Sequence, residues 1–299
     1  MHLIIFMWGF TGIIGKLIQL DAIIIVWYRI LIAVSVLFLF FILTKKSFKI
    51  QKKHLWKISL VGMIVASHWL TFYYSIQLST ASLGILCLST TTLHVTWLEP
   101  LVMKRRFSWI EFLLSCCVVY GIYFVAGDFS PKEMTALYFG LLSALCAALF
   151  SVFNAKISQE VPSTHITLYE LIVGFIFVSI FLISIGRMNV AILQMTYSDF
   201  GWLLFLGILC TSFAFLVTID IIKRLGTFTV SLSINLEPVY TILLAIFILK
   251  EHQLLNSNFY IGAMIIIFVV LLNGLLKHYQ KKKETQKNNK RINKWNILI

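Results

Sequence analysis

The sequence predicts an all-α integral membrane protein with ten transmembrane helices in two inverted five-helix repeats. Apolar residues make up 60% of the 299 residues and charged residues only 12%, about half the share found in a typical soluble domain. Ten apolar stretches, each close to the ~20 residues that cross a bilayer, nearly exhaust the chain. The first five stretches match the second five piece by piece.

The predicted spans are continuously apolar and lack the alternation of hydrophobic and polar residues that marks a barrel strand. Spans three and four nearly abut. In chain order the ten spans lie at about 3–20, 22–43, 55–78, 81–103, 109–127, 136–158, 164–186, 199–222, 227–249 and 257–276.

An internal repeat organises the chain. The matching residues of the two copies include Tyr28-Arg29 with Tyr169-Glu170, and Gly62 with Gly207. Because each copy has an odd number of spans, the second copy enters the membrane from the opposite side. Inverted repeats are typical of secondary transporters, whose substrate site lies near the midplane between the copies. The predicted units are a first repeat, a second repeat and a basic cytoplasmic tail, at 1–127, 136–277 and 278–299.

The net charge of +13 is distributed unevenly between the two ends of the spans. With the N-terminus in the cytoplasm, nineteen of the 25 lysines and arginines lie on the cytoplasmic side and three on the outside. The positive-inside rule therefore predicts a multi-pass protein of the cell membrane with both termini cytoplasmic. We expect the basic tail to contact anionic membrane lipid and not nucleic acid.

Two charged residues stand inside spans, where a charge costs about 2.5–3.5 kcal/mol on the insertion scale. Arg29 in span two and Glu170 in span seven occupy matching places in the repeats. They are predicted to bind the charged ends of a zwitterionic or polar solute, or to form a gate pair; a structural ion pair or snorkelling is the alternative. Trp8 and Tyr28 could line the same cavity, or pack in the core.

Span nine contains polar residues around a proline. Pro238 lacks a backbone donor, so within a continuous helix it would free the carbonyl of Ile234. A broken helix with Glu237 and Asn235 beside the break suits a transporter site. Glu237 is also a candidate proton carrier. The alternative is a packed kink in which Glu237 bonds a neighbour.

Span four carries a run of hydroxyl side chains that includes Thr91 and is followed by His94. Such hydroxyls can also bond carbonyls of the preceding turn, so the run does not by itself indicate a cavity. His94 could titrate near neutral pH and take part in proton coupling, or be a hydrogen-bonded packing residue.

Signatures of enzymes are absent from the sequence. There is no Gly-x-Ser-x-Gly, His-Glu-x-x-His, P-loop or dinucleotide fingerprint, and no His, Cys or Asp cluster with metal spacing. The five cysteines all lie in apolar segments and are interpreted as packing residues. We therefore expect neither an enzyme nor a bound cofactor or metal.

The chain resembles the EamA-type transporters of the drug/metabolite transporter superfamily. The residues that carry the resemblance are Trp8-Gly9, Lys16, Arg29, Cys210-Thr211 with Ala214, Leu236-Glu237-Pro238-Val239 and Lys250-Glu251. The resemblance covers both repeats. It implies ten helices in two inverted repeats around a central cavity, and movement of small metabolites, often amino acids or drugs, outward. It also makes Lys16 a candidate substrate-binding or gating residue.

The resulting hypothesis is a secondary transporter that exports a small polar metabolite, amino-acid-like or drug-like, by alternating access between the repeats. An uncoupled facilitator of the same fold is one alternative. A non-transporting membrane assembly or sensor protein is another. The expected partners are the small-molecule substrate and membrane lipid, and the sequence does not indicate an oligomeric state.

Overall fold

The structure is a computed structural model that describes residues 1–104, 106–126, 129–218, 221, 234 and 236–296. Within these residues all regular elements are helices and no strand is present. The first half contains α1 (His2–Leu17), α2 (Ala22–Leu43), α3 (Lys52–Leu78), α4 (Ala81–Leu88), α5 (Thr91–Met103) and α6 (Trp109–Ala126). The second half contains α7 (Pro131–Ile157), α8 (Ser163–Ser184), α9 (Tyr197–Leu204), α10 (Glu237–Ile248) and α11 (Ser257–Asn296). A π-helix (Phe205–Phe213) continues α9, and short 3₁₀ helices lie at Val190–Leu193 and Glu251–Gln253.

Seven helical segments among the described residues are long and apolar enough to cross a membrane. One of them joins α4 and α5, and another joins α9 and the π-helix. Three further apolar helical segments are shorter, at 10–17 residues: α1, the Trp109–Val125 part of α6, and α10. A multi-pass, all-helical membrane protein is therefore confirmed, whereas the count of ten spans and the inverted arrangement stay predictions.

The predicted span four is divided into two helices at Ser89 and Thr90. At the break the backbone NH groups of both residues bond carbonyls three residues back, those of Leu86 and Cys87. The hydroxyl of Thr90 also donates to the Cys87 carbonyl at 2.7 Å. Competition of a side-chain hydroxyl with the helical ladder explains why the helix is interrupted here.

Many large apolar side chains are exposed on the exterior of the bundle. Phe247, Leu101 and Trp109 are 79%, 71% and 71% exposed, while one contiguous hydrophobic core joins nearly all helices. Large exposed apolar surface is unusual for a soluble protein. A bilayer would cover this surface.

The helices of the two halves pair with one another. α1 packs on α10, and α7 packs on α4 and α5. The π-helix packs on α2, and α3 packs on α8. α6 packs on α11, where Gly121 and Gly262 allow the backbones to meet: a Cβ on Gly262 would lie 2.5 Å from the Gly121 carbonyl oxygen. Small residues permit such close approach between membrane helices.

Contacts that involve loops lie near both ends of α2. At its N-terminal end Arg187 pairs with Asp21 at 2.5 Å. Beyond its C-terminal end the Tyr169 hydroxyl donates to the Phe48 carbonyl at 2.6 Å. The first contact joins loops predicted to be outside, and the second joins a helix to a loop on the predicted cytoplasmic side.

Candidate functional site

Arg29 is the charged residue around which the candidate site is built. It lies on α2, about 10 Å along the helix from its N-terminus at a rise of 1.5 Å per residue. The side chain is only 3% exposed. Its Nε donates to the Thr211 hydroxyl at 2.7 Å, and its Nη1 donates to the Tyr73 hydroxyl at 3.1 Å. Both acceptors are neutral, so the charge of Arg29 is held in place by them but not cancelled.

Aromatic rings surround the guanidinium. Its central carbon lies 4.3 Å from the centroid of the Trp69 ring and 5.9 Å from that of Tyr73. Trp69 meets Phe215 edge-on at 5.9 Å between centroids, and Trp8 meets the same Phe215 at 6.3 Å. The faces of aromatic rings carry partial negative charge, so they stabilise a desolvated cation. The rings also form an apolar wall beside the charge.

The π-helix places Thr211 beside Arg29. In this wider helix the Thr211 hydroxyl donates to the carbonyl five residues back, that of Leu206, at 2.8 Å, and so can accept from Arg29. The π-helix approaches α2 closely at Gly207, where a Cβ would lie 2.5 Å from the side chain of Ile32 and 3.2 Å from the Arg29 carbonyl oxygen. π-Helices are rare and often occur at functional sites.

Trp8 and the predicted span-nine residues lie on neighbouring helices. The indole of Trp8 on α1 donates to the Cys210 carbonyl at 3.2 Å. Glu237 is the first residue of α10, and Pro238 is the second, in the first turn where proline is tolerated. Within the described residues Pro238 therefore does not interrupt a helix. Asn235 lies outside the described residues.

Glu237 is half-buried and lies within electrostatic range of Arg29. The ion pairs among the described residues do not join the two side chains, so their charges are separated. Glu237 therefore lies near Arg29 without a direct ion pair to it. Arg29, Glu237 and Trp8 thus form one group, which we call the Arg29 site.

Glu170 does not belong to the Arg29 site. It lies on α8, is 2% exposed, and accepts a hydrogen bond from the Asn154 amide at 3.2 Å. Tyr28 also points elsewhere, since its hydroxyl donates to the Ile192 carbonyl at 3.1 Å. The predicted partnership of Arg29 with Glu170 is therefore not a direct contact.

Lys16 lies at the end of α1, where its ammonium donates to the Ser79 carbonyl. The buried carboxylate of Glu251, close enough to Lys16 to attract it, accepts from the backbone nitrogens of Ala81 and Ser82 at 2.7 and 3.0 Å. Those nitrogens begin α4, so Glu251 caps this helix. Lys16 and Glu251 hold the start of α4 in place.

Thr91 and His94 lie on α5. The Thr91 hydroxyl is 3.4 Å from the Ala144 carbonyl, and His94 meets Trp97 edge-on at 6.4 Å between centroids. His94 also lines a cavity of about 350 Å³ between α5, α6 and α7, whose other walls are almost entirely apolar. This cavity contains none of the residues of the Arg29 site. No group of three or more His, Cys, Asp or Glu that could hold a metal occurs in the described part of the chain.

Several residues that complete these sites are not indicated by the sequence. Trp69 and Tyr73 are four residues apart on α3, and this spacing puts both on the face that meets a buried cation. Thr211 was noted only for its place in a motif. Asn154 is an amide within a predicted apolar span, and this is the signal by which it could have been found.

Comparison with known proteins identifies one family. The model of the EamA-like transporter family matches residues 1–127 and again 134–275. The uncharacterized transporter YoaV of Bacillus subtilis (strain 168) is 22% identical over 275 residues, which cover 89% of this chain and 92% of that protein. A solved crystal structure superposes with a TM-score of 0.67 at 15% identity, covering 93% of this chain and 96% of that one. At that identity the likeness shows a shared fold.

Proposed function

Because the chain belongs to the EamA-like transporter family of the drug/metabolite transporter superfamily, it is a multi-pass membrane transporter and not an enzyme, and we propose that it exports a small zwitterionic metabolite of the amino-acid class. The observation that carries this proposal is the burial of Arg29 beside neutral partners. A buried cation in a membrane protein normally pairs with an anion or lines a wet cavity. A substrate carboxylate would provide the anion.

The geometry of Arg29 suits a carboxylate. Guanidinium groups bind carboxylates through parallel N–H donors in a planar fork. The bond from Nε to Thr211 and the bond from Nη1 to Tyr73 fix the plane of this fork, so the ligand meets a preorganised donor.

Glu237 would bind the opposite end of the substrate. Its carboxylate lies at the start of α10, within the field of Arg29 but not in an ion pair with it. An α-amino acid carries an ammonium close to its carboxylate, so one molecule could neutralise both side chains. Trp8, Trp69 and Phe215 would then contact the substrate's apolar part. A drug-like cation without a carboxylate would leave Arg29 unneutralised and is the less suitable substrate.

The inverted repeat is supported by contacts that occur twice. The Tyr28 hydroxyl bonds a carbonyl between α8 and α9, and its counterpart Tyr169, 141 positions later, bonds a carbonyl between α2 and α3. Gly207 packs on the Arg29 backbone, and its counterpart Gly62 packs on the Glu170 backbone. The contacting residues on α2 and α8 are those that the repeat pairs.

Gly121 and Gly262, which also stand 141 positions apart, meet each other. If the copies form an inverted repeat, a contact between counterparts is expected near the symmetry axis that relates them. These reciprocal contacts favour alternating access by rocking of one repeat against the other. In this proposal both termini face the cytoplasm of the cell membrane.

Transport by purified protein in liposomes tests the proposal. Liposomes preloaded with a panel of labelled amino acids should release at least one of them faster than empty-membrane controls. Arg29→Lys keeps the charge but loses the fork, so the half-saturating concentration should rise about tenfold or more, which corresponds to the ~1.4 kcal/mol or more of a charged hydrogen bond. Arg29→Ala should abolish release.

Arg187→Lys is the matched control, because Arg187 is an exposed arginine paired with Asp21 far from the site. It should transport at the wild-type rate. Full activity of Arg29→Ala would refute the site, and failure of every amino acid would refute the substrate class. Release that ignores an imposed pH gradient would favour the uncoupled facilitator.

A further inference from the structure

A second polar site lies between α7 and α8, separate from the Arg29 site. The Asn154 side-chain nitrogen donates to one oxygen of the Glu170 carboxyl at 3.2 Å. Glu170 is 98% buried, since only 2% of it is exposed. α3 covers it closely: a Cβ on Gly62 would lie 2.5 Å from the Glu170 carbonyl oxygen. The carboxyl is therefore enclosed by three helices from both repeats.

Two acceptor atoms at this place lack a donor. The second carboxyl oxygen of Glu170, Oε1, and the amide oxygen of Asn154, Oδ1, are both buried without a hydrogen-bond partner. Leaving a buried acceptor unsatisfied costs about 1–3 kcal/mol, and more when the group is charged. An ionised carboxylate that has one amide donor and no neighbouring cation is therefore energetically unfavourable in an apolar bundle.

The charged and titratable groups on the elements around Glu170 either contact other residues or, in the case of Lys57, are exposed. Asn154 is the only side chain among the described residues that hydrogen-bonds or ion-pairs with it. On α2, Arg29 contacts Thr211 and Tyr73, and Tyr28 contacts Ile192. On α3, His54 contacts Glu160, His68 contacts Ser143, and Lys57 is exposed. On α7 and α8, Lys156 contacts Val102, His165 contacts Ser47, and Tyr169 contacts Phe48.

We propose that Glu170 is a proton-binding site that Asn154 positions, and that a proton taken up there is coupled to the transport cycle. In this step a hydronium ion transfers its proton to a carboxylate oxygen: one O–H bond of the hydronium breaks, one O–H bond forms on the carboxyl, and a water molecule is left. A metal ion would need more oxygen ligands than the two unpartnered ones present, whereas a proton needs one. Coupling to the cycle rests on the proposed function, while proton binding does not.

Asn154 suits both protonation states of its partner. An amide presents a donor on one side and an acceptor on the other. In this structure the Asn154 nitrogen donates to the carboxyl, which is an arrangement that suits the ionised form. With the carboxyl protonated, half a turn of the amide would place Oδ1 to accept the new O–H. Asn154 could thus stay hydrogen-bonded to the Glu170 carboxyl in both protonation states without a movement of the backbone.

The place of this carboxyl links the proton to motion between the repeats. Glu170 lies on α8 at the crossing with α3, and these helices belong to different repeats. Rocking of one repeat against the other must change this contact. The carboxyl would then meet water in one state and be enclosed in the other, as proton coupling requires.

Infrared difference spectra of the purified protein between acidic and alkaline pH test the proton site without any substrate. The wild type should gain the band of a buried carboxylic acid at acidic pH, and Glu170→Gln should lose it. Glu160→Gln, which alters an exposed carboxyl, should keep the band. A band that is unchanged in Glu170→Gln would overturn the proposal.

Asn154→Ala keeps the carboxyl and removes its hydrogen-bond partner, so the band should remain but move in frequency. This variant decides the question if Glu170→Gln fails to fold, because a band in the wild-type position would then overturn the proposal. If an amino acid is transported, a pH gradient should stimulate the wild type but not Glu170→Gln. If none is transported, the proposed substrate fails while the infrared result still stands.

Discussion

Removing the hydroxyl of Thr211 should lower the stability of the folded protein, because Arg29 loses a hydrogen-bond acceptor. Thr211→Val keeps the shape of the side chain but deletes the acceptor that lies 2.7 Å from the Arg29 Nε. Hydrogen bonds to charged groups contribute about 1.5–3 kcal/mol. The neutral bond from Thr211 to Leu206 is lost as well. We therefore expect the free energy of unfolding to fall by about 2–4 kcal/mol.

Ser212→Ala is the matched control on the same π-helix. The Ser212 hydroxyl donates to the carbonyls of Gly207 at 2.9 Å and Ala33 at 3.3 Å, and both of these acceptors are neutral. Neutral interhelical hydrogen bonds in membranes are worth about 0.6 kcal/mol on average. The loss in this variant should therefore be clearly smaller than in Thr211→Val.

A double-mutant cycle separates the charged bond from other effects. Thr211→Val and Arg29→Leu should couple by about 1.5–3 kcal/mol, because Arg29→Leu removes the donor. Ser212→Ala and Arg29→Leu should be additive within about 0.5 kcal/mol. Unfolding free energies can be measured by titrating purified protein in mixed micelles with a denaturing detergent. A Thr211 coupling no larger than the Ser212 coupling would refute the role assigned to the hydroxyl.

Two further predictions concern helix packing and topology. Gly62→Ala should lower the thermal denaturation midpoint, because the added Cβ would lie 2.5 Å from the Glu170 carbonyl oxygen. Gly201→Ala is the control and should be neutral or stabilising, because no atom lies within 4 Å of the added Cβ. Equal shifts of the midpoint in the two variants would contradict the close approach at Gly62. In a cysteine-free background, an impermeant thiol reagent added outside cells should label a cysteine at position 130 in place of Ser130 but not one in place of Ser47. The reverse pattern would invert the predicted orientation.

The inverted repeat is a prediction that depends on residue order alone. Tyr28 and Tyr169 were matched by their spacing, and the structure gives their hydroxyls equivalent partners. The apolar stretches likewise predicted most helix bounds to within a few residues. The break at Ser89 and Thr90 was missed because hydroxyl side chains both suit and interrupt helices, and the outcome depends on local competition for carbonyls.

The partners of the charged side chains could not be predicted in the same way. The repeat paired Arg29 with Glu170 by position, but position in a repeat does not bring two side chains together. In the structure the carboxyl group within electrostatic range of Arg29 is that of Glu237. The Glu170 carboxyl instead accepts a hydrogen bond from Asn154. Which side chains meet is decided by helix rotation and crossing, which the order of residues along a span does not specify.

The two positions matched by the predicted repeat, Arg29 and Glu170, have different surroundings. Arg29 and Glu170 are each the eighth residue of their helix, so each lies about 10 Å from the helix start. With the predicted topology these starts face opposite sides of the membrane. Around Arg29 the partners are neutral hydroxyls and aromatic rings, which leave its permanent charge without an anionic contact. Around Glu170 the partner is one amide, and two acceptors remain unfilled. A permanent cation suits binding of an anionic group, whereas an incomplete carboxyl suits binding of a proton. Under our two proposals, positions that the repeat matches would bind different ligands because their neighbours differ.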